Sequence, residues 1–460
     1  MIMNNTPSSS NAINDLGNVP PPKPTWLKYT REKELINLLL AYLITGLFFM
    51  LVPGTLLGVW NLFVISYRHC PTQVSSAWIQ AHGHAQLFGW IGSFILGIGY
   101  YSIPNLRRSK PYTYLDGWLC WFLWTVGISL RFMAGFYNLS WRLLFPVSAL
   151  LEFIAVSIFV YRNIVGHKSN PSTNSKFEPW SILVMCGTIG LIFSLLYNLL
   201  ASILLSINGQ SPFISDTINK PYLVLCVWGF VLPIVWGFTT HWMPIFLGLQ
   251  ETKVNFLLAG LVINEIGVLL ALMVKPFPSV FAFIILTLAS LCIVLALRLF
   301  ERTKQAPKIN GVDPSFPLFI RIAYTWLILA NCLALIAASN PDLSGILGAA
   351  RHAITVGFLA TMVLSVAPRM LPAFLGKKEL FNTKFMWWSL IVLNLGCFMR
   401  VFSEIFAYQG YAQCAWSILP ISASLELTAL IIFLINMIGT FLKPDAITFT
   451  NHSNKLLKYH

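Results

Sequence analysis

Twelve long apolar runs follow one another along this chain, and they restrict what it can fold into. They lie at residues 35–58, 78–104, 114–137, 142–163, 179–205, 222–247, 255–275, 278–300, 317–338, 346–374, 384–407 and 412–440. A helix needs about 20 residues to cross the roughly 30 Å of hydrocarbon in a bilayer. The runs reach that length and lack the period-two alternation of membrane strands. They therefore predict an all-α membrane protein with twelve transmembrane helices.

The composition agrees, because 57% of the residues are hydrophobic and only 10% are charged, which excludes an ordinary soluble protein. Residues 1–33 are polar, so we expect a disordered cytoplasmic tail. Residues 34–441 form the predicted transmembrane domain. Residues 442–460 form a second cytoplasmic tail.

The net charge of +14 reports orientation in the membrane. Most lysines and arginines fall in the two tails and in the loops that follow even-numbered runs. Only Arg68, Arg142, Lys220 and Lys275 lie near the other face. This positive-inside bias predicts a multi-pass plasma (inner) membrane protein with both termini in the cytoplasm. The basic excess suits contact with the lipid bilayer and its anionic headgroups, and not with nucleic acid.

Three of the runs share one motif. Residues 84–90 (HAQLFGW) and 352–358 (HAITVGF) each begin twenty residues before a proline, and Val224 begins a third copy twenty residues before Pro244. One helix is therefore used three times, in runs two, six and ten.

The helices that follow the motif repeat as well. Residues 146–152 match residues 420–426 at five of seven positions, and a glycine stands four residues before both Arg131 and Arg400. Equivalent helices that recur every fourth run predict three arcs of four helices in a pseudo-threefold ring.

The repeat also places two carboxylates, Glu152 and Glu426, at equal depth. They are candidates for a proton path. The alternative is that each forms a hydrogen bond to a neighbouring helix.

Three histidines lie in the outer third of their runs, namely His82, His84 and His352, whereas His241 lies roughly 25–28 Å deeper, at the inner end. Two histidines at equal depth on different helices suit a haem, whose iron takes one imidazole on each side. A zinc site would require cysteines or carboxylates at that depth. We therefore predict a haem and expect His241 to be interfacial.

Residues two apart on a helix point about 200° apart, so only one of His82 and His84 can face His352. In a rotationally repeated ring, equivalent positions face successive spaces. His82 is therefore the predicted axial partner of His352, and His84 should face the adjacent pore. There it is a candidate ligand of a second haem or metal.

Haem propionates require cationic partners at the membrane boundary. Arg351, beside a predicted ligand, and Arg400, on the next helix, are the candidates. The alternative is that Arg400 pairs with Glu404 one turn later and that Arg351 extends towards the membrane surface.

These motifs resemble a known superfamily. Twelve spans in three arcs with histidines on spans two and ten look like the catalytic subunit of haem–copper oxidases. The run His82 to Gly89, residues 243–246 and the segment 352–357 are most similar to the NnrS family of haem-containing membrane proteins. The resemblance implies a b-type haem and a role in the nitric oxide stress response or in membrane electron transfer. Its partners would be a small gaseous ligand, or a quinol or cytochrome that exchanges electrons.

The chain departs from the oxygen-reducing members of that superfamily. Residues 255–275 contain no histidine, and Ala350 stands where a second span-ten histidine would be. Copper is therefore not expected, and whether the protein is an enzyme stays open; if it is one, it is an oxidoreductase. One alternative is a divergent nitric oxide or quinol-dependent reductase that uses His84. Another is a transporter with Glu152, Glu265 and Glu426 as midplane carboxylates.

Overall fold

The computed structural model describes residues 25–444, apart from 107–113, 169–177, 274–278, 341, 344 and 378. All regular secondary structure in this part of the chain is helical. The predicted all-α class is confirmed.

Twelve long helices, numbered α1 to α12 in chain order, follow the predicted runs across the described residues. They are α1 (25–68), α2 (76–106), α3 (Tyr114–Phe136), α4 (Trp141–Lys168), α5 (Pro179–Asn208), α6 (Asp216–Leu247), α7 (Val254–Met273), α8 (Val280–Leu297), α9 (Phe316–Ser339), α10 (Ile346–Phe374), α11 (Thr383–Tyr408) and α12 (Cys414–Leu442). A single 3₁₀ turn, Pro71–Gln73, lies between α1 and α2.

Eleven of these helices are long and apolar enough to cross a membrane. The twelfth, α2, is also continuous over 31 residues, but it carries His82, His84 and Gln86 and is not among the eleven. These three polar side chains lower the mean hydropathy of α2. They belong to the candidate site described below. The chain is therefore compatible with a multi-pass membrane protein.

The first helix is longer at both ends than its apolar run. It begins at Thr25, within the segment 1–33 that the sequence predicts as a tail. Good helix formers such as Leu27, Glu32 and Lys33 extend the helix beyond its apolar core. At the other end α1 continues to Arg68. Residues 1–24 and 445–460, predicted as tails, lie outside the described residues.

The three motif helices share a backbone irregularity at the same position. A wide π-helical segment follows directly after His84, Val224 and His352, at Ala85–Gly92 in α2, at Leu225–Val231 in α6 and at Ala353–Ala360 in α10. Such segments are rare and frequently mark functional sites. The repeat found in the sequence is thus also a repeat of backbone geometry.

The motif glycine of each copy packs against the helix that precedes it in the chain. A Cβ atom on Gly89 would lie 2.8 Å from Phe49 of α1, and one on Gly357 would lie 2.6 Å from Trp326 of α9. In the third copy the carbonyl of Gly229 meets α5. Three inner helices, α2, α6 and α10, therefore each approach an equivalent outer helix closely.

The helix pairs that follow the motif are equivalent too. A Cβ on Gly127 of α3 would lie 2.8 Å from the Glu152 side chain of α4, and one on Gly396 of α11 would lie 3.0 Å from the Glu426 side chain of α12. In both pairs the glycine lets the glutamate-bearing helix approach. This contact reproduces the sequence match between the two segments.

The bundle has two distinct ends. On one side α1 ends and α2, α6 and α10 begin; there Ser66 Oγ donates to the Trp416 carbonyl of α12 over 2.6 Å, and Gln80 binds Ile214 beside α6. We call this the histidine side, because His82, His84 and His352 lie near it. The opposite end, where α1 begins and α12 ends, is called the terminal side.

Candidate functional site

His82 lies inside the bundle and is held by the first helix. Its Nδ1 lies 2.8 Å from the Gly54 carbonyl oxygen. A Cβ on Gly58 would lie 2.7 Å from Cε1 of the imidazole, so this glycine gives the ring its place against α1. With Nδ1 bound to a carbonyl, Nε2 of His82 is the nitrogen left for a ligand.

The Gly54 carbonyl lies in an irregular stretch of the first helix. The segment Met50–Leu56 is π-helical and contains Pro53, which lacks an N–H group. The Gly54 oxygen also accepts the Leu57 N–H, and because a carbonyl oxygen has two lone pairs it can accept from His82 as well. The sequence VPGTLLG in α1 therefore prepares the seat of a histidine on α2.

His352 is held in the same manner by its own helix. Its Nδ1 lies 3.1 Å from the Gly348 carbonyl oxygen and 3.6 Å from Oε2 of Glu404 on α11. Its Nε2 is therefore also left for a ligand. A metal-binding histidine ordinarily donates its other nitrogen to a carbonyl or carboxylate in this way, which fixes its tautomer and orientation.

The two imidazoles belong to one electrostatic unit. The charge of Arg400 acts on both His82 and His352, and His82 acts on His352. Protein surrounds the two rings, yet 29% of the His352 side chain remains accessible, and His82 also keeps accessible surface. Both imidazoles therefore keep accessible surface inside the bundle, within reach of the Arg400 charge.

Arg400 lies against Glu404, one turn further along α11. Its Nη1 is 3.1 Å from Oε2 of Glu404, an ion pair whose alignment is not that of a hydrogen bond. Nε and Nη1 of Arg400 and Oε2 of Glu404 are buried without a hydrogen-bond partner. Buried polar groups of this kind require an explanation, because leaving them unpaired costs free energy.

A glycine makes room for the Glu404 carboxylate. A Cβ on Gly348 would lie 2.1 Å from Oε1 of Glu404, so no larger residue fits there with the carboxylate in place. Arg351 is nearly enclosed as well, and the charges of Asp216 and Glu404 act on it. Of the two predicted propionate contacts, Arg400 thus has a carboxylate of the chain at its side.

His84 faces a different space from His82, as the helical geometry predicted. Its Nε2 lies 3.0 Å from Oε1 of Glu152 on α4, and its ring packs at 4.8 Å from Phe88. Both side chains are buried, with 5% and 0% of their surfaces accessible. The sequence singled out both residues but did not predict that they meet.

Beside this pair lies the arginine of the first repeat. The guanidinium of Arg131 stacks over Phe145 at 3.8 Å, and the charge of Glu152 acts on it. Nη1 of Arg131 and Oε2 of Glu152 are buried without a hydrogen-bond partner. The first repeat therefore holds a second buried polar cluster, His84, Glu152 and Arg131.

Glu426, the equivalent of Glu152, has no histidine at its carboxylate. Its Oε1 is buried without a hydrogen-bond partner, while the charges of Arg400 and Glu404 act on it. His352 uses Glu404 where His84 uses Glu152. The two repeats thus pair their histidines with different glutamates.

The remaining residues raised by the sequence lie elsewhere. His241 packs against Trp180 at 4.7 Å on the terminal side, away from the other histidines. Oε1 of Glu265 accepts from Asn264 over 3.2 Å.

Within the described residues, no three histidine, cysteine, aspartate or glutamate side chains are grouped to hold a metal ion. A haem needs fewer protein ligands, because the porphyrin supplies the others. Sequence reasoning missed Gly54, Gly58 and Gly348, which seat the histidines and Glu404. The Pro53-Gly54 pair in an apolar run was the available signal.

Comparison with known proteins covers part of this site. A family described as a domain of unknown function, DUF8744, matches residues 248–442. That range includes α10 to α12, with His352, Arg400 and Glu404, but not α2 with His82 and His84. No curated protein matches the chain.

Proposed function

We propose that this protein is a membrane haem protein whose iron is bound axially by Nε2 of His82 and Nε2 of His352. The observation that carries the proposal is the shared arrangement of the two imidazoles. Each lies inside the bundle with some accessible surface, binds a backbone carbonyl through Nδ1 and leaves Nε2 for a ligand. The residues present fit a bis-histidine haem in this respect, and the buried unpaired atoms of Arg400 support a polar or anionic group close by.

The haem would supply one-electron redox chemistry and affinity for a small gaseous ligand such as nitric oxide. The protein's own residues hold and tune it. Gly54 and Gly348 fix the tautomers of the two imidazoles, and Arg400 places positive charge beside them. The resemblance to the NnrS family supports a role in nitric oxide stress or membrane electron transfer.

We further propose that Arg351 and Arg400 contact the haem propionates. Arg400 already has Glu404 at 3.1 Å. In this proposal the propionate binds the nitrogens that Glu404 leaves without a hydrogen bond, Nε and Nη1. Arg351, which is enclosed but has no ion pair with the described residues, is the second contact.

The architecture that we propose is a pseudo-threefold ring of three four-helix arcs. Each inner helix carries the π segment at the same position, and the first and last helices meet through Ser66 and Trp416. The proposed orientation puts both termini in the cytoplasm of a plasma (inner) membrane. His84 and Glu152 then lie in the neighbouring pore, where together with Glu426 they are candidates for a proton path.

A pyridine haemochrome assay on the purified protein tests the proposal. We expect at least one b-type haem per chain and a low-spin spectrum, with no iron beyond the haem iron. Protein that is purified from haem-replete cells with an intact helical spectrum but without haem would contradict it. A stoichiometric second metal would instead favour the reductase alternative.

A further inference from the structure

A second set of partly accessible side chains lies on the terminal side, away from His82, His84 and His352. The lower halves of α2, α6 and α10 are otherwise tightly buried. Within residues 91–100, 231–239 and 361–370, the partly accessible side chains occur at matching positions of the three helices. They are Ile95 and Ile98 of α2, Val235 and Phe238 of α6, and Val363, Val366 and Arg369 of α10.

Counted from His84, Val224 and His352, these residues form layers of equivalents. Ile95, Val235 and Val363 make one layer, and Ile98, Phe238 and Val366 make the next. A third layer, Tyr101, His241 and Arg369, completes the series and is partly accessible as well. Because the spacing is three residues, each helix presents one face throughout.

The region between the three faces is called the funnel, and side chains of the three helices meet at its mouth. The ring of Phe374 on α10 lies 5.1 Å from Tyr101 of α2 and 6.4 Å from Trp242 of α6. The guanidinium of Arg369 lies 4.8 Å above Phe246 of α6.

This funnel is closed at its deep end. One turn beyond the deepest layer, Ile91, Val231 and Leu359 are 7%, 0% and 2% exposed. The six residues from Ile95 to Tyr101 give the funnel a depth of roughly 9 Å. Its walls are aliphatic and aromatic, and its polar groups stand only at the mouth.

One polar group at the mouth lacks a partner. Nε of Arg369 is buried without a hydrogen bond, and Arg369 forms no ion pair with the described residues. Neither of the two acids whose charges act at the mouth forms an ion pair with Arg369: Glu178 accepts from Trp180 and acts on His241, and the charge of Glu32 acts on Tyr101.

We propose that this funnel binds a monocarboxylic acid with a short to medium acyl chain, the tail between α2, α6 and α10 and the carboxylate on Arg369. An apolar blind cavity with one cation at its rim matches an apolar tail with one anionic head. A guanidinium binds a carboxylate bidentately, and His241 adds a donor beside it.

Equilibrium dialysis of radiolabelled octanoate against the protein in nanodiscs tests the proposal, with empty nanodiscs subtracted. We expect saturable binding that Arg369→Gln weakens about tenfold, the loss typical of a charge-assisted hydrogen bond. The control Arg302→Gln, an exposed arginine in a loop on the same side, should leave it unchanged. Equal affinities of the two variants would overturn the proposal.

The position of the tail is tested separately. Val366→Trp fills the funnel and should abolish binding, whereas Leu395→Trp, on an outer helix where 50% of the side chain is exposed, should not. Unlabelled octan-1-ol should compete much less well than octanoate, because it lacks the carboxylate. Competition by octan-1-ol equal to that of octanoate, or octanoate binding by Val366→Trp at the level of the unmodified chain, would contradict the assignment.

Discussion

Arg400 lies 3.1 Å from Glu404, whereas its equivalent in the first repeat, Arg131, has Gly135 at the position of that glutamate. The residue before each repeat histidine differs as well: Arg351 precedes His352, whereas Gly83 precedes His84. The repeat that contains His352 therefore carries one more cation and one more anion than the repeat that contains His84. Of these two repeats, the one with His352 has the more highly charged site.

The first prediction separates the three histidines. His82→Ala and His352→Ala should each remove the low-spin haem spectrum, because each removes an axial ligand. His84→Ala should retain it, because His84 faces Glu152 in a different space. Optical and electron paramagnetic resonance spectra of the purified variants check this. Loss of the low-spin signal in His84→Ala alone would refute the assignment of His82.

The second prediction concerns the seat of His82. Gly58→Ala should displace the imidazole, because the new Cβ would lie 2.7 Å from it, and should reduce haem occupancy or convert the haem to high spin. Gly83→Ala is the matched control, since its Cβ would meet nothing within 4 Å although it stands between His82 and His84. Haem content per protein measures both. Equal haem content in the two variants would argue against His82 as a ligand.

The third prediction uses the charges near the haem. Arg400→Gln should lower the reduction potential, because a nearby positive charge favours the reduced state. Glu404→Gln should raise it for the opposite reason. Spectroelectrochemical titration provides the measurement. A potential that is unchanged in both variants would remove Arg400 and Glu404 from the haem environment.

The fourth prediction compares equivalent glutamates. Glu152→Ala leaves His84 without its partner inside the bundle, and leaving a buried hydrogen-bonding group unsatisfied costs about 1–3 kcal/mol. Glu152→Gln keeps an acceptor oxygen and should cost less. Glu426→Gln should also lower the free energy of unfolding only slightly, since Oε1 of Glu426 has no hydrogen-bond partner. Denaturant titration in micelles gives the free energies of unfolding. A Glu426→Gln loss as large as that of Glu152→Ala would contradict the pairing.

The fifth prediction is the orientation. Reporter fusions after residue 460 should be active in the cytoplasm, because most basic residues lie on the side of the two tails. A C-terminal reporter that is active outside the cell would show the opposite orientation of the protein and place the histidine side near the cytoplasm.

Much of the fold could be predicted from the sequence, because long apolar runs and a repeated motif carry their information locally. The match between residues 146–152 and 420–426 anticipated the equivalent contacts of Gly127 and Gly396. The opposite directions of His82 and His84 followed from helical geometry alone.

The contacts between helices could not be predicted in the same way. Whether His84 meets Glu152 depends on how α2 and α4 are rotated and how closely they approach. The local sequences of the two helices determine neither the rotation nor the distance. The contact of His82 with the Gly54 carbonyl lies in a π-helical stretch of α1, of which the sequence showed no more than a proline and a glycine. Helix propensity outlasts hydrophobicity at the start of α1, so the helix begins before the apolar run does.

The π segment of α6 follows Val224, whereas those of α2 and α10 follow a histidine. Its retention in that copy indicates that the wide turn sets the phase between the two halves of an inner helix. Deleting one residue from Leu225–Val231 would restore a regular helix and turn Val235, Phe238 and His241 by about 100° relative to the upper half. A single-codon deletion would thus turn the α6 residues away from the funnel without replacing His82, His84 or His352.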